Sequence, residues 1–144
     1  METALGVMAA LVCSLYSAYF WALIRSRPEV FERLLLVGLA EWMLTSPRAA
    51  PGRLRAMLAL TGAAEAAYFA LALAVIANPV FRALTALFIL FEGVHLLRVG
   101  QSLARFFAGR ISLGALFDWR LERAAAWLFF THSLLVLVQL WWHS

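Results

Sequence analysis

Apolar runs long enough to cross a bilayer follow one another along almost the whole chain, with Pro, Gly and Arg at the joints. No single motif constrains the fold as strongly. A bilayer core of ~30 Å needs ~20 helical residues, with ~17 as the lower edge. The runs read as helices at about 4–25, 28–46, 54–77, 79–98 and 121–142. The second is the weakest, because it is short and opens with Glu32 and Arg33. Backbone groups in lipid are bonded within a helix or around a closed barrel, and the alternation of a barrel strand is missing. The sequence therefore predicts an all-α integral membrane protein. Its fold class is a bundle of five transmembrane helices in one domain, residues 1–144, with short loops.

Composition agrees. Hydrophobic residues make up 65% of the chain and charged ones 14%, too little polar surface to wrap a soluble fold of 144 residues. The lone cysteine, Cys13, sits in the first apolar run and reads as a small buried side chain without a disulfide partner. The opening "METALG" carries Glu2 and no basic residue, so the first run reads as a retained helix rather than a cleaved signal.

The joints carry helix-start chemistry. In "SRPE", Ser26 is a candidate N-cap, followed by Pro28 and by Glu29 three residues on. "ANPV" repeats the pattern with Asn78 and Pro79, and "TSPRAAPG" is a breaker-rich loop. Residues 101–120 are less apolar; Gly109 and Gly114 interrupt them, and they read as an interfacial segment or an irregular loop. Short matches at offsets of 49 to 51 (Ala18–Phe20 with Ala67–Phe69, Glu41 with Glu92) suggest a hairpin repeat of 1–50 and 53–100.

The net charge of +4 does not point to nucleic acid. All twelve basic residues are arginines, and most sit between the apolar runs, where membrane topology places them. With five spans, one side holds Arg48, Arg53, Arg55, Arg98, Arg105, Arg110, Arg120 and Arg123, against Arg25, Arg27, Arg33 and Arg82 on the other. That puts the N-terminus in the cytoplasm and the C-terminus outside; if the second segment does not span, this orientation fails. Trp141 and Trp142 suit one aromatic belt and Trp119 the other.

Five ionisable residues lie inside the apolar runs: Glu41, Glu65, Glu92, His95 and His132. Each costs ~2.5–3.5 kcal/mol at a helix centre on insertion scales, so each should face the bundle interior. Counting along the helices puts Glu65 and His132 near the middle, with Glu41 and Glu92 only ~4–5 Å off it and His95 about a turn further. All five occupy one slab of the membrane. Glu92 and His95 are i and i+3 and share a face. Three readings compete for them: a structural pair, an acid/base or proton-relay pair completed by Glu65, or metal ligands in the Glu-x-x-His spacing of di-iron bundles. Those bundles use two such motifs and this chain has one. Glu41, His132, Tyr16 and Tyr68 are candidate ligand-binding residues, and His132 could also bind a haem-like group. Small residues at Gly62, Ala66, Ala70 and Ala74 make the third helix a candidate packing centre, with Thr61, Glu65 and Tyr68 on an overlapping face and Tyr16 within reach of Glu65.

Three function classes follow. The first is an accessory or binding subunit of a membrane assembly, with a membrane-protein partner or a homo-oligomer, holding a proton, a metal ion or a lipid-soluble ligand. The second is a proton- or cation-coupled small transporter or channel, working as a homo-oligomer. The third is an intramembrane enzyme acting on an isoprenoid, quinone or lipid. The P-loop, the dinucleotide fingerprint, HExxH and zinc-type Cys/His clusters are all missing.

Overall fold

The computed structural model describes residues 1–25 and 28–143. The helices are α1 (Glu2–Arg25), α2 (Pro28–Thr45), α3 (Ala50–Val75), α4 (Pro79–Phe107) and α5 (Trp119–His143), with a 3-10 turn at Leu113–Ala115. The described residues contain no strand. Four helices are long and apolar enough to cross a membrane: Glu2–Ala22, Ala50–Val75, Pro79–Phe107 and Trp119–Trp142. α2 is not among them, so the expected count of five is met in helices but not in candidate spans.

The four long helices alternate in direction. α1 and α5 run antiparallel: Gly6 faces Leu140, Tyr16 stacks on Phe129 at 5.6 Å, and Phe20 meets Trp127 at 4.4 Å. α3 and α4 form an antiparallel hairpin, with Gly62 against Leu96, Gly100 against Leu58 and Phe69 edge-on to Phe88. Arg82 closes the hairpin, donating from Nε to the Ile76 carbonyl and from a terminal nitrogen to that of Leu73. The start of α1, the end of α3, the start of α4 and the end of α5 thus share one end of the bundle, where Glu2, Ile76, Asn78 and Leu140 line one cleft.

α2 does not return to that end. Near its start Phe31 packs on Tyr19 of α1, and Glu32 lies 3.6 Å from Arg123 of α5. Near its finish Ala40, Met43 and Leu44 face Ala50, Phe106 and Phe107. Both ends lie in the half of the bundle away from the termini. Leu34 and Leu44 stay exposed, as do Leu11, Leu15, Leu87 and Leu90 on the long helices. An apolar exterior of this kind suits lipid contact and not water.

The cap at Asn78 forms as expected, its side chain accepting from the amides of Val80 and Phe81. Pro51 sits in the first turn of α3, where its missing N–H leaves no bond unmade. Ser26 lies outside the described residues. The expected interfacial segment 101–120 divides differently: Gln101–Phe107 continue α4, and Gly109, at φ +69°, takes the left-handed conformation that ends it. Leu116 then buries the loop, and Asp118 caps α5 by accepting from the amides of Arg120 and Leu121.

The core fills the half near the termini. Leu5 and Ala9 of α1, Phe69 and Ala72 of α3, Phe81 and Phe88 of α4, and Phe129 and Val136 of α5 pack there as one cluster. The other half holds a cavity.

Candidate functional site

The inward faces are stripes at alternating spacings of three and four, the pattern of a helix seam. On α4 the buried residues are Phe81, Thr85, Phe88, Glu92, His95 and Leu103. On α5 they include Ala125, Phe129, His132 and Val136, and Glu122 begins the same stripe one step earlier. Glu92 and His95 therefore sit where the next residues of an apolar seam would fall. They meet Glu122 and share a cavity with Glu65 rather than facing lipid.

His95 is held between two carboxylates. Its Nδ1 lies 2.7 Å from Glu92 Oε1 and its Nε2 lies 3.1 Å from Glu122 Oε1. A neutral imidazole has one N–H and one acceptor nitrogen, so it cannot donate to both oxygens. The triad therefore holds one extra proton, either on the ring or on a carboxyl. Glu92 is 3% exposed, and its second oxygen, Oε2, has no hydrogen-bond partner in the protein. Glu65 Oε2 is buried and unpartnered as well.

These groups line a cavity of about 350 Å³, in the size range of small-molecule pockets. Glu65, Glu92, His95, Glu122 and Thr61 supply its polar wall. Tyr16, Tyr19, Trp119, Phe129, Leu58, Leu96 and Val99 supply much of the rest, and Leu35 of α2 closes one side. Among the described residues no arginine contributes to the lining. Arg123, next to Glu122 in sequence, turns away; its Nε donates to the Trp119 carbonyl.

Comparison of the chain with protein-family models, curated proteins and solved structures finds no match. The site is read on its own chemistry.

The slab of five residues expected from depth alone divides into three places. Glu65, Glu92 and His95 converge on the cavity. His132 belongs to a second, sealed cluster: Tyr68 donates its hydroxyl to His132 Nδ1 at 2.8 Å, and Nε2 lies 2.9 Å from Thr85 Oγ1. The Thr85 hydroxyl donates to the Phe81 carbonyl, so its oxygen accepts from His132 Nε2–H. The ring is then a neutral Nε2–H tautomer with both nitrogens satisfied, packed among Phe69, Phe81 and Phe88. The ring's one free lone pair, on Nδ1, is taken by the Tyr68 hydroxyl, so none is left for a haem-like group. Glu41 is exposed on α2 and joins neither cluster.

Two smaller expectations change as well. Tyr68 serves His132 and not the Glu65 face, while Thr61 does stay with Glu65. Tyr16 lines the cavity, but no hydrogen bond joins it to Glu65. The metal assignment of Glu92 and His95 gains no support. Among the described residues no group of three or more His, Cys, Asp or Glu is placed to hold an ion, and both nitrogens of His95 already face carboxylate oxygens.

The residue that sequence reasoning missed is Glu122. It falls in the first turn of α5, at the edge of the apolar run. Two signals could have found it: Asp118 as a helix cap four residues earlier, and the 122–125–129–132–136 stripe that leads from it to His132.

Proposed function

We propose that this protein is a four-span membrane protein that binds a lipid-soluble ligand in the cavity beside the Glu92–His95–Glu122 triad. One observation carries the reading: Glu92, at 3% exposure, lines a largely apolar cavity of about 350 Å³ and keeps a buried carboxylate oxygen without a hydrogen-bond partner among the described residues. A buried acceptor left unpaired costs ~1–3 kcal/mol, more when charged. A ligand with a hydrogen-bond-donating head and an apolar body supplies the donor to Glu92 and Glu65 and fills the apolar walls. This is the binding-subunit class, and it leaves room for a membrane partner along the exposed face of α2.

The topology reading follows from the helix ends. α1, α3, α4 and α5 span, and α2 stays in the half away from the termini. Among the described residues Arg82 is the one arginine in the half that holds the termini; the others described lie toward the opposite end. Arginine-rich ends face the cytoplasm, which puts both termini outside and the cavity in the cytoplasmic half.

Within one chain, apolar packing weighs against the transport class. Phe88 and Phe129 pack at 4.9 Å between the triad and the His132 cluster, one turn from each. For the enzyme class, the cavity's buried carboxylate oxygens left without a hydrogen-bond partner among the described residues are Oε2 of Glu65 and Oε2 of Glu92.

The test is mass spectrometry of organic extracts from protein purified in mild detergent, comparing wild type, Glu92→Gln and Val99→Trp. A lipid-soluble molecule enriched with wild type and reduced in both variants is the expected result. Equal extracts from all three would remove the cavity as a binding site.

A further inference from the structure

We propose that the ligand is a lipophilic cation, an amphiphile whose ammonium or amidinium head sits between Glu65 and Glu92. This rests on the ligand-binding reading above and names its chemical class. Three carboxyl groups and one imidazole line the cavity, and among the described residues no arginine does. The one proton that satisfies both sides of His95 leaves the triad with one net negative charge, and Glu65 adds a third carboxyl group, with a buried oxygen that no described residue bonds. The nearby cation Arg123 is committed elsewhere, donating to Trp119 and lying 3.6 Å from Glu32. A neutral donor would satisfy the oxygens and leave the negative charge in place. An anionic head would add to it. A cationic head does both jobs, because it carries donors and positive charge. The lining rings of Tyr16, Tyr19 and Trp119 suit the same choice, since aromatic faces attract cations.

The head has a defined position. Glu65 comes from α3 and Glu92 from α4, and Gly62 lets these helices approach until Leu96 stands 3.4 Å from where a Cβ would be. The two bare oxygens therefore flank one hairpin seam. The apolar body then extends along Leu58, Leu96 and Val99 toward Leu35 of α2.

The experiment titrates dodecylamine, dodecanol and laurate into the full chain in phosphatidylcholine nanodiscs and reads bound ligand by native mass spectrometry. Glu65→Gln and Glu92→Gln are the test variants; Glu41→Gln, outside the cavity, is the control. Expected is one dodecylamine per chain in wild type and Glu41→Gln, bound at least about tenfold more tightly than dodecanol, with a loss of about tenfold in each test variant. Glu65 Oε2 has no hydrogen-bond partner among the described residues for an amide to break, so the result does not hinge on Glu92→Gln folding. Dodecanol or laurate binding as tightly as the amine overturns the cationic head and leaves the cavity reading standing. If none of the three binds to wild type, both readings fall.

Discussion

The two buried histidines differ in their partners, and that difference separates structure from chemistry. His132 has a hydroxyl on each nitrogen and a settled tautomer. His95 has a carboxylate on each and must share a proton with them. Interhelical hydrogen bonds in membrane proteins contribute ~0.6–2 kcal/mol each. Tyr68→Phe removes the donor to His132 Nδ1 and should lower stability by about 1 kcal/mol in an SDS- or heat-unfolding titration, while ligand binding at the cavity stays unchanged. A loss of binding in Tyr68→Phe with unaltered stability would mean that the two clusters are not separate. Residue types alone did not reveal this division. Depth along a helix is legible from sequence only where the helix spans: it put Glu65 and Glu92 at one level, but Glu41 lies on α2, which stays in one half. Lateral position is set by which stripe each residue occupies and by how the helices pack, and this sent His132, Glu41 and the Glu65 group to different places.

The helices themselves were legible wherever local chemistry fixed their ends. Asn78, Pro79 and the apolar seam of α4 all point the same way, and the start of that helix follows. Its finish was missed by about nine residues, because Arg98 and Gln101 look like a polar exit although the buried stripe continues to Leu103. The start of α5 was placed two residues late, for a related reason. Its cap, Asp118, follows an irregular loop, and Glu122 lies in its first turn. That cap matters to the site, since it holds the turn that brings Glu122 to His95. Asp118→Ala should cost ~0.5–2 kcal/mol of stability, the usual range for a lost N-cap. It should also weaken retention of the cavity ligand, measured by the same extraction from mild detergent. Asp118→Asn, which keeps a capping oxygen, should restore both. If Asp118→Asn behaves as Asp118→Ala, the capping role is wrong and the charge itself is at work.

At the scale of the molecule, the number of spans decides which way the cavity opens, and the sequence was least informative there. α2 has 18 residues, about 27 Å of helix, enough to look like a short span. Only the packing of its ends shows that it returns to the half it started from: Phe31 against Tyr19 at one end, Met43 and Leu44 against Phe106 and Phe107 at the other. With five spans the arginines divide eight to four; with α2 left in one half, every described arginine but Arg82 falls toward a single end. Loops are sorted by just this bias, so the four-span arrangement is the one the charge distribution favours. The two arrangements differ at the start of the chain. Four spans put Thr3 outside and the loop at Ser112 in the cytoplasm, whereas the five-span order puts both in the cytoplasm. Both residues are exposed, so a cysteine at either is open to reagent. In intact cells a membrane-impermeant maleimide should label Thr3→Cys and spare Ser112→Cys until the cells are lysed, with Cys13→Ala as the background. Protection of Thr3→Cys in intact cells would return the N-terminus to the cytoplasm. Labelling of Ser112→Cys in intact cells would place the loop after α4, and with it the mouth of the cavity, outside.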